Sequence, residues 1–160
     1  MEDITTLSTL EDLDSQTKIL IQKCEDALPL AYAPYSKFRV AAALLLNNGV
    51  IITGTNQENA AYPDGMCAER VALFTKASQY PQEEIKKLVI IAKGENAQKL
   101  SPATCCGSCR QVMLEFEQRQ GKAFEVTMLG QGNRWINAPS AAALLPYSFT
   151  KRDLEESQGL

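Results

Sequence analysis

Two short stretches carry the residue types that do chemistry. Cys67-Ala68-Glu69-Arg70 sets a thiol beside a carboxylate, and Cys106-Gly107-Ser108-Cys109 supplies a Cys-x-x-Cys pair thirty-nine residues later. Three sulfurs match an open zinc site, in which a tetrahedral ion keeps one position for water. Glu69, two residues after Cys67, is placed to touch that water rather than to ligate. A general acid/base beside a metal-activated water is the equipment for hydrolytic attack on an sp² carbon. Arg70 brings a full positive charge toward three thiolates whose combined charge would otherwise leave the water weakly acidic. The expectation is that Arg70 tunes that water. The chain has no histidine, which removes Ser-His-Asp and Cys-His machinery and every imidazole-bearing zinc site. Only Cys105 and Cys24 remain to close a four-sulfur site. Cys105 adjoins Cys106 and is expected to point elsewhere, and Cys24 sits on an apolar helical stripe. A Cys-x-x-Cys taken alone also suits a structural zinc knuckle or a redox pair.

The elements that must position these residues are legible from periodicity. Apolar residues at Ile19, Leu20, Cys24, Ala27 and Leu28 predict a helix capped at Asp14 or Ser15 and stopped by Pro29. Arg39 to Leu46 and Val50 to Thr55 are apolar runs split by Asn47-Asn48-Gly49, a hairpin signal. The second run enters Asn56-Gln57-Glu58-Asn59, four polar side chains that need partners, with a substrate edge as one candidate. A second helix is expected from Met66 to about Tyr80 and a strand over Leu88 to Ala92. A third helix runs from the Cys106 cluster to a Gly121 C-cap. Strands follow at Phe124–Leu129 and around Trp135–Ile136, then a helical turn at Pro139–Leu145. This order predicts an α/β fold with five strands in a mixed sheet covered by helices. Both cysteine stretches open helices, so the two can meet at one sheet edge. Residues 1–160 are expected to form a single domain, with 1–13 a loose lead-in and 150–160 a charged tail.

Composition excludes several classes. A net charge of −3 and a pI near 5.1 disfavour nucleic-acid binding, which needs clustered cations. No apolar run is long enough to span a membrane. The acidic start, Met1-Glu2-Asp3, lacks a signal-peptide core, so a cytoplasmic location is expected.

Taken together, these segments resemble the cytidine deaminase family in its small, all-cysteine zinc form. The residues carrying the resemblance are Tyr35-Ser36-Lys37-Phe38, Asn56-Gln57-Glu58-Asn59-Ala60, Tyr62-Pro63, Cys67-Ala68-Glu69-Arg70, Cys106-Gly107-Ser108-Cys109-Arg110-Gln111 and Leu144-Leu145-Pro146-Tyr147-Ser148-Phe149. They run in the family's order over roughly residues 15–155. The resemblance implies a three-layer α/β/α domain that binds one Zn²⁺ per subunit through Cys67, Cys106 and Cys109, with Glu69 shuttling protons. It implies that Asn56 and Glu58 hydrogen-bond ribose hydroxyls, that Phe38 packs on the nucleoside, and that backbone around Ala68 reads the pyrimidine edge. Phe149 would reach a neighbouring subunit's site in a homotetramer. The implied reaction converts cytidine or 2′-deoxycytidine to the uridine counterpart and ammonia, in pyrimidine salvage. A deaminase of another cytosine-bearing molecule, such as a nucleoside antibiotic, is the rival within the fold; a structural zinc module would need a fourth ligand and no Glu69. The chain departs from the family where Ser-Pro ordinarily precedes the first paired cysteine. Thr104-Cys105 stands there and Ser101-Pro102 lies upstream, so either the pair is replaced or three residues are inserted. Cys105 is expected to be a buried or half-buried free thiol.

Overall fold

The computed structural model describes residues 3–157. Its strands are β1 (Thr5–Leu7), β2 (Phe38–Leu46), β3 (Ile51–Thr55), β4 (Ile85–Gly94), β5 (Glu125–Leu129) and β6 (Trp135–Ala138). Its helices are α1 (Ser15–Ala27), α2 (Ala68–Gln79), α3 (Gly107–Gln120) and α4 (Lys151–Ser157). The strands form one sheet in the order β1-β6-β5-β4-β2-β3. Only β4 and β5 pair in parallel; the remaining neighbours are antiparallel. The sheet is therefore mixed, as expected.

The apolar run of β2 is continuous because both of its faces are covered. Ala41, Ala43 and Leu45 pack with Leu20, Ile21 and Cys24 of α1 on one side. Ala42, Leu44 and Leu46 pack with Ala72 and Leu73 of α2 and Met113 and Phe116 of α3 on the other. Alternate side chains of one strand thus serve two cores, which makes the architecture three layers, α/β/α. Asp14 caps α1, accepting from the Thr17 amide at 2.9 Å, and also pairs with the buried Lys87 of β4 at 2.7 Å. Gly49 turns the β2–β3 hairpin at φ 85° and Gly121 ends α3 at φ 67°, both left-handed positions that favour glycine.

Six strands replace the five expected. The extra one, β1, lies inside the stretch read as a loose lead-in and pairs antiparallel with β6, Thr6 opposite Ile136. Three residues on a sheet edge, only Leu7 of them half-buried, carry no period long enough to see; backbone pairing makes the strand. The helical turn expected at Pro139–Leu145 is a 3-10 turn over Ala142–Leu144. The charged tail contains the exposed helix α4. Residues 1–2 of the lead-in and 158–160 of the tail lie outside the described residues. No helix among the described residues is long and apolar enough to cross a membrane.

Strand direction sets where a site forms. Because β2 is antiparallel to both β3 and β4, and β4 is parallel to β5, the strands β3, β4 and β5 all run the same way. Their C-terminal ends share one edge with Phe38 at the start of β2, which pairs with Gly94. The connections into α2 and α3 leave from that edge, bringing two helix N-termini to it.

Candidate active site

Cys67 is the N-cap of α2 and Cys106 the N-cap of α3, and neither sulfur is spent on a capping hydrogen bond. Cys109 lies one turn into α3 and is fully buried. The Cys67 and Cys106 sulfurs are 3.9 Å apart and those of Cys106 and Cys109 3.4 Å; all three lie within 4.8 Å of one another. Thiolates on a tetrahedral zinc at ~2.3 Å sit roughly 3.8 Å apart, so the donor set suits that ion in both chemistry and spacing. The packing that brings α2 here is close: a Cβ on Gly54 of β3 would lie 2.5 Å from the Ala68 carbonyl oxygen and from the Ala72 amide nitrogen. Only glycine lets the helix start approach the strand this far.

The charges around the sulfurs are arranged for a cation. The Cys67 thiol is pushed down to about 5 by the neighbouring Cys109 thiol and by Arg70, against the opposing cost of burial. Cys109 is pushed up by the same pairing and by burial. Metal binding by such thiols requires their deprotonation. The Arg70 guanidinium donates from Nη2 to the Cys67 sulfur at 3.5 Å, while its buried Nε has no partner. Glu69 is 4% exposed, and its carboxyl is pushed up by burial and then by the charge of Cys67. A raised proton affinity of this kind suits a group that must take up and give back a proton.

Cys67, Cys106, Glu69, Arg70 and Ala68 line a cleft of about 750 Å³, together with Phe38, Asn56 and Glu58. Residues 56–58 run extended between Tyr32 and Met66, the Gln57 amide donating to the Met66 carbonyl at 2.9 Å and the Glu58 amide to that of Tyr32 at 2.8 Å. Asn56 and Glu58, two apart, therefore share a side. The Asn56 side chain accepts from the Val40 amide at 2.8 Å and donates to the Phe38 carbonyl at 2.9 Å, leaving one amide hydrogen free. Glu58 is held low, first by the Ser36 hydroxyl and then by the Tyr35 and Ser36 amides.

Eight of the nine side chains singled out for ligation, catalysis, support or substrate contact thus gather at one sheet edge: Cys67, Cys106, Cys109, Glu69, Arg70, Asn56, Glu58 and Phe38, with the backbone of Ala68. Phe149 is the exception. It is 61% exposed and is not among the residues lining this cleft; its carbonyl accepts from Gln111 of α3 at 2.7 Å. Cys105 lies in the core, 3% exposed, outside the sulfur cluster, and burial pushes its thiol up. Cys24 is buried on the opposite face of the sheet.

The sequence reading gave no role to several residues that shape the site or brace α3. Tyr35 and Tyr62 meet at the cleft, ring centroids 5.9 Å apart. Arg110 steadies the loop into Cys106, donating to the Cys105 carbonyl at 3.1 Å and the Leu144 carbonyl at 3.2 Å. Buried Glu117 accepts from the amides of Phe124, Ala141 and Ala142, tying the far half of α3 to two loops. The Tyr35–Phe38 motif pointed to the first of these; nothing local pointed to Glu117, whose partners lie up to 25 residues away.

Comparison with known proteins agrees with this geometry. A family model described as the cytidine and deoxycytidylate deaminase zinc-binding region matches residues 14–123. A cytidine deaminase of Sporosarcina psychrophila is 40% identical over 135 residues, 84% of this chain and 92% of its own length. Another, from Halalkalibacterium halodurans, is 36% identical over 139 residues, 87% of this chain and 98% of its own. The crystal structure of a cytidine deaminase from Burkholderia pseudomallei superposes with a TM-score of 0.68 at 37% identity, covering 86% of this chain and all of the other.

Proposed function

The chain belongs to the cytidine and deoxycytidylate deaminase family, and on that premise we propose that it hydrolyses cytidine and 2′-deoxycytidine to uridine and 2′-deoxyuridine with release of ammonia. The observation that carries the reading is the meeting of three cysteine sulfurs within 4.8 Å of one another beside the buried carboxyl of Glu69 at one cleft. Relatives that bear the name cytidine deaminase over most of this chain's length support it. They do not favour the rival reading, a deaminase of another cytosine-bearing molecule.

Cys67, Cys106 and Cys109 would hold Zn²⁺, which when bound supplies Lewis-acid activation of water. The protein's part is positioning and proton transfer. Glu69 takes one proton of the attacking water and delivers it to ring N3 as the oxygen bonds to C4. It then passes the water's second proton to the exocyclic nitrogen; the C4–N bond breaks and ammonia leaves, with C4 now a carbonyl. Burial raises the proton affinity of Glu69, which favours its taking the water's proton. Arg70 offsets the thiolate charge. Asn56, through its free amide hydrogen, and Glu58 orient the sugar hydroxyls, Phe38 packs on the nucleoside, and the backbone at Ala68 reads the base edge. Phe149 reaches into a neighbouring copy's cleft, which makes the working unit a homotetramer of single-domain chains. The enzyme acts in the cytoplasm, in pyrimidine salvage.

The test is the ultraviolet change on mixing zinc-loaded protein with cytidine, with ammonia measured in parallel. Loss of the cytidine band with one ammonia per nucleoside is expected. Intact cytidine in the presence of zinc-loaded protein would overturn the reading.

A further inference from the structure

The carboxylate of Glu58 is held by a loop twenty-two residues away in sequence. The amides of Tyr35 and Ser36 donate to its Oε2 at 3.0 and 3.2 Å, and the Ser36 hydroxyl donates to its Oε1. The Ser36 oxygen accepts in turn from the Phe38 amide at 3.1 Å. Between them Lys37 adopts φ 57°, a left-handed conformation unusual for a residue with a side chain. The loop is pinned on both sides, the Lys37 amide donating to the Ala33 carbonyl at 3.2 Å and its carbonyl accepting from the Glu95 amide at 2.8 Å. Successive amides converging on one oxygen make an anion-holding concavity, and its occupant here is the protein's own glutamate.

An ionised carboxylate offers about four lone-pair positions. The loop fills three, and Ser36 and Glu58 both line the cleft. We propose that Ser36 is a positioning residue: with the Tyr35 and Ser36 amides it fixes the Glu58 carboxylate so that the remaining lone pair meets a sugar hydroxyl of the substrate. A free glutamate would have to lose side-chain freedom on binding; this one has already lost it, so the hydroxyl gains the full contact. The same contacts keep Glu58 ionised, an acceptor rather than a donor. The inference rests on the nucleoside reading above.

The experiment compares wild type, Ser36→Ala and Ser36→Thr, zinc-loaded, on cytidine and on 2′,3′-dideoxycytidine, which lacks both ring hydroxyls, at high enzyme concentration. Ser36→Ala is expected to lose about tenfold in kcat/KM on cytidine, carried by KM, the scale of one hydrogen bond to a charged group. On the dideoxy substrate it should lose less than about twofold, and Ser36→Thr, which keeps the hydroxyl, should restore cytidine turnover. Adding Ser36→Ala to Glu58→Gln should cost nothing further. Should Ser36→Ala not fold, Ser36→Cys, of similar size but a weak donor, carries the same expectation. An equal loss on both substrates, or no loss on cytidine, overturns the proposal and leaves the deaminase reading standing. A wild type inert toward cytidine overturns that reading and this one with it.

Discussion

Among the individual residues, the thiols divide by environment rather than by sequence neighbourhood. Cys105 and Cys106 are adjacent, yet one faces the core beside Met128, to whose sulfur its amide donates at 3.5 Å, and the other caps α3 at the cleft. Replacing Cys105 with serine should therefore leave the metal content at about one zinc per chain, because no ligand is removed. Cys109→Ser should reduce it severely. Atomic absorption on the dialysed variants reads both, and loss of zinc from Cys105→Ser would point instead to a closed four-sulfur site. The meeting of the three sulfurs beside Glu69 was legible because chelation demands particular residue types, and the absence of histidine left few. What was not legible is who holds these groups. Ser36 and Glu58, or Glu117 and Ala142, meet across loops whose paths no local pattern encodes.

The elements explain why the site needs so little of the sequence. Helices α2 and α3 present their first turns at the edge where β3, β4 and β5 end, and each supplies one cap sulfur. Periodicity located both helices and five strands within a few residues, since a strand or helix facing an apolar core must repeat its pattern. It missed β1, which has one half-buried residue and is held by its pairing with β6. On the opposite face, α1 is anchored by Asp14, which caps the helix and pairs with Lys87; Lys87 also meets Glu125 at 3.1 Å. Burial by itself pushes the Asp14 carboxyl up, but its bonds to Lys87 and Thr17 win and hold it below the usual carboxylate range. A carboxyl depressed in the folded state contributes stability above its unfolded value, about 3.9, and loses it as pH falls through the folded value. Asp14→Asn keeps a capping side chain but removes the charge facing buried Lys87. It should lower stability by about 1–2 kcal/mol at pH 7, and the gap to wild type should close as pH drops below about 4. Urea unfolding at a series of pH values measures this; a pH-independent gap would contradict it.

Across the whole molecule, several large apolar side chains are left exposed, among them Tyr147 at 95% and Phe149 at 61% near the C-terminal end and Tyr62 at 75% at the cleft. Gln111 holds the backbone at Phe149 against α3, so the ring projects from a fixed support. The shared-site arrangement predicts a solution mass of about 70 kDa, four times 17.6 kDa, by sedimentation equilibrium. A single species at the mass of one chain would contradict the arrangement. Contacts of that kind would lie beyond periodicity, which reports what one chain buries within itself.

In the proposed reaction Glu69 moves protons beside a metal that it does not ligate. The direct test is the rate of cytidine deamination by Glu69→Gln, measured together with the zinc content of the same preparation. The side chain keeps its size and loses its proton, so zinc should remain near one per chain while kcat falls by roughly a thousandfold. A variant that retains zinc and turns over cytidine near the wild-type rate would contradict the account.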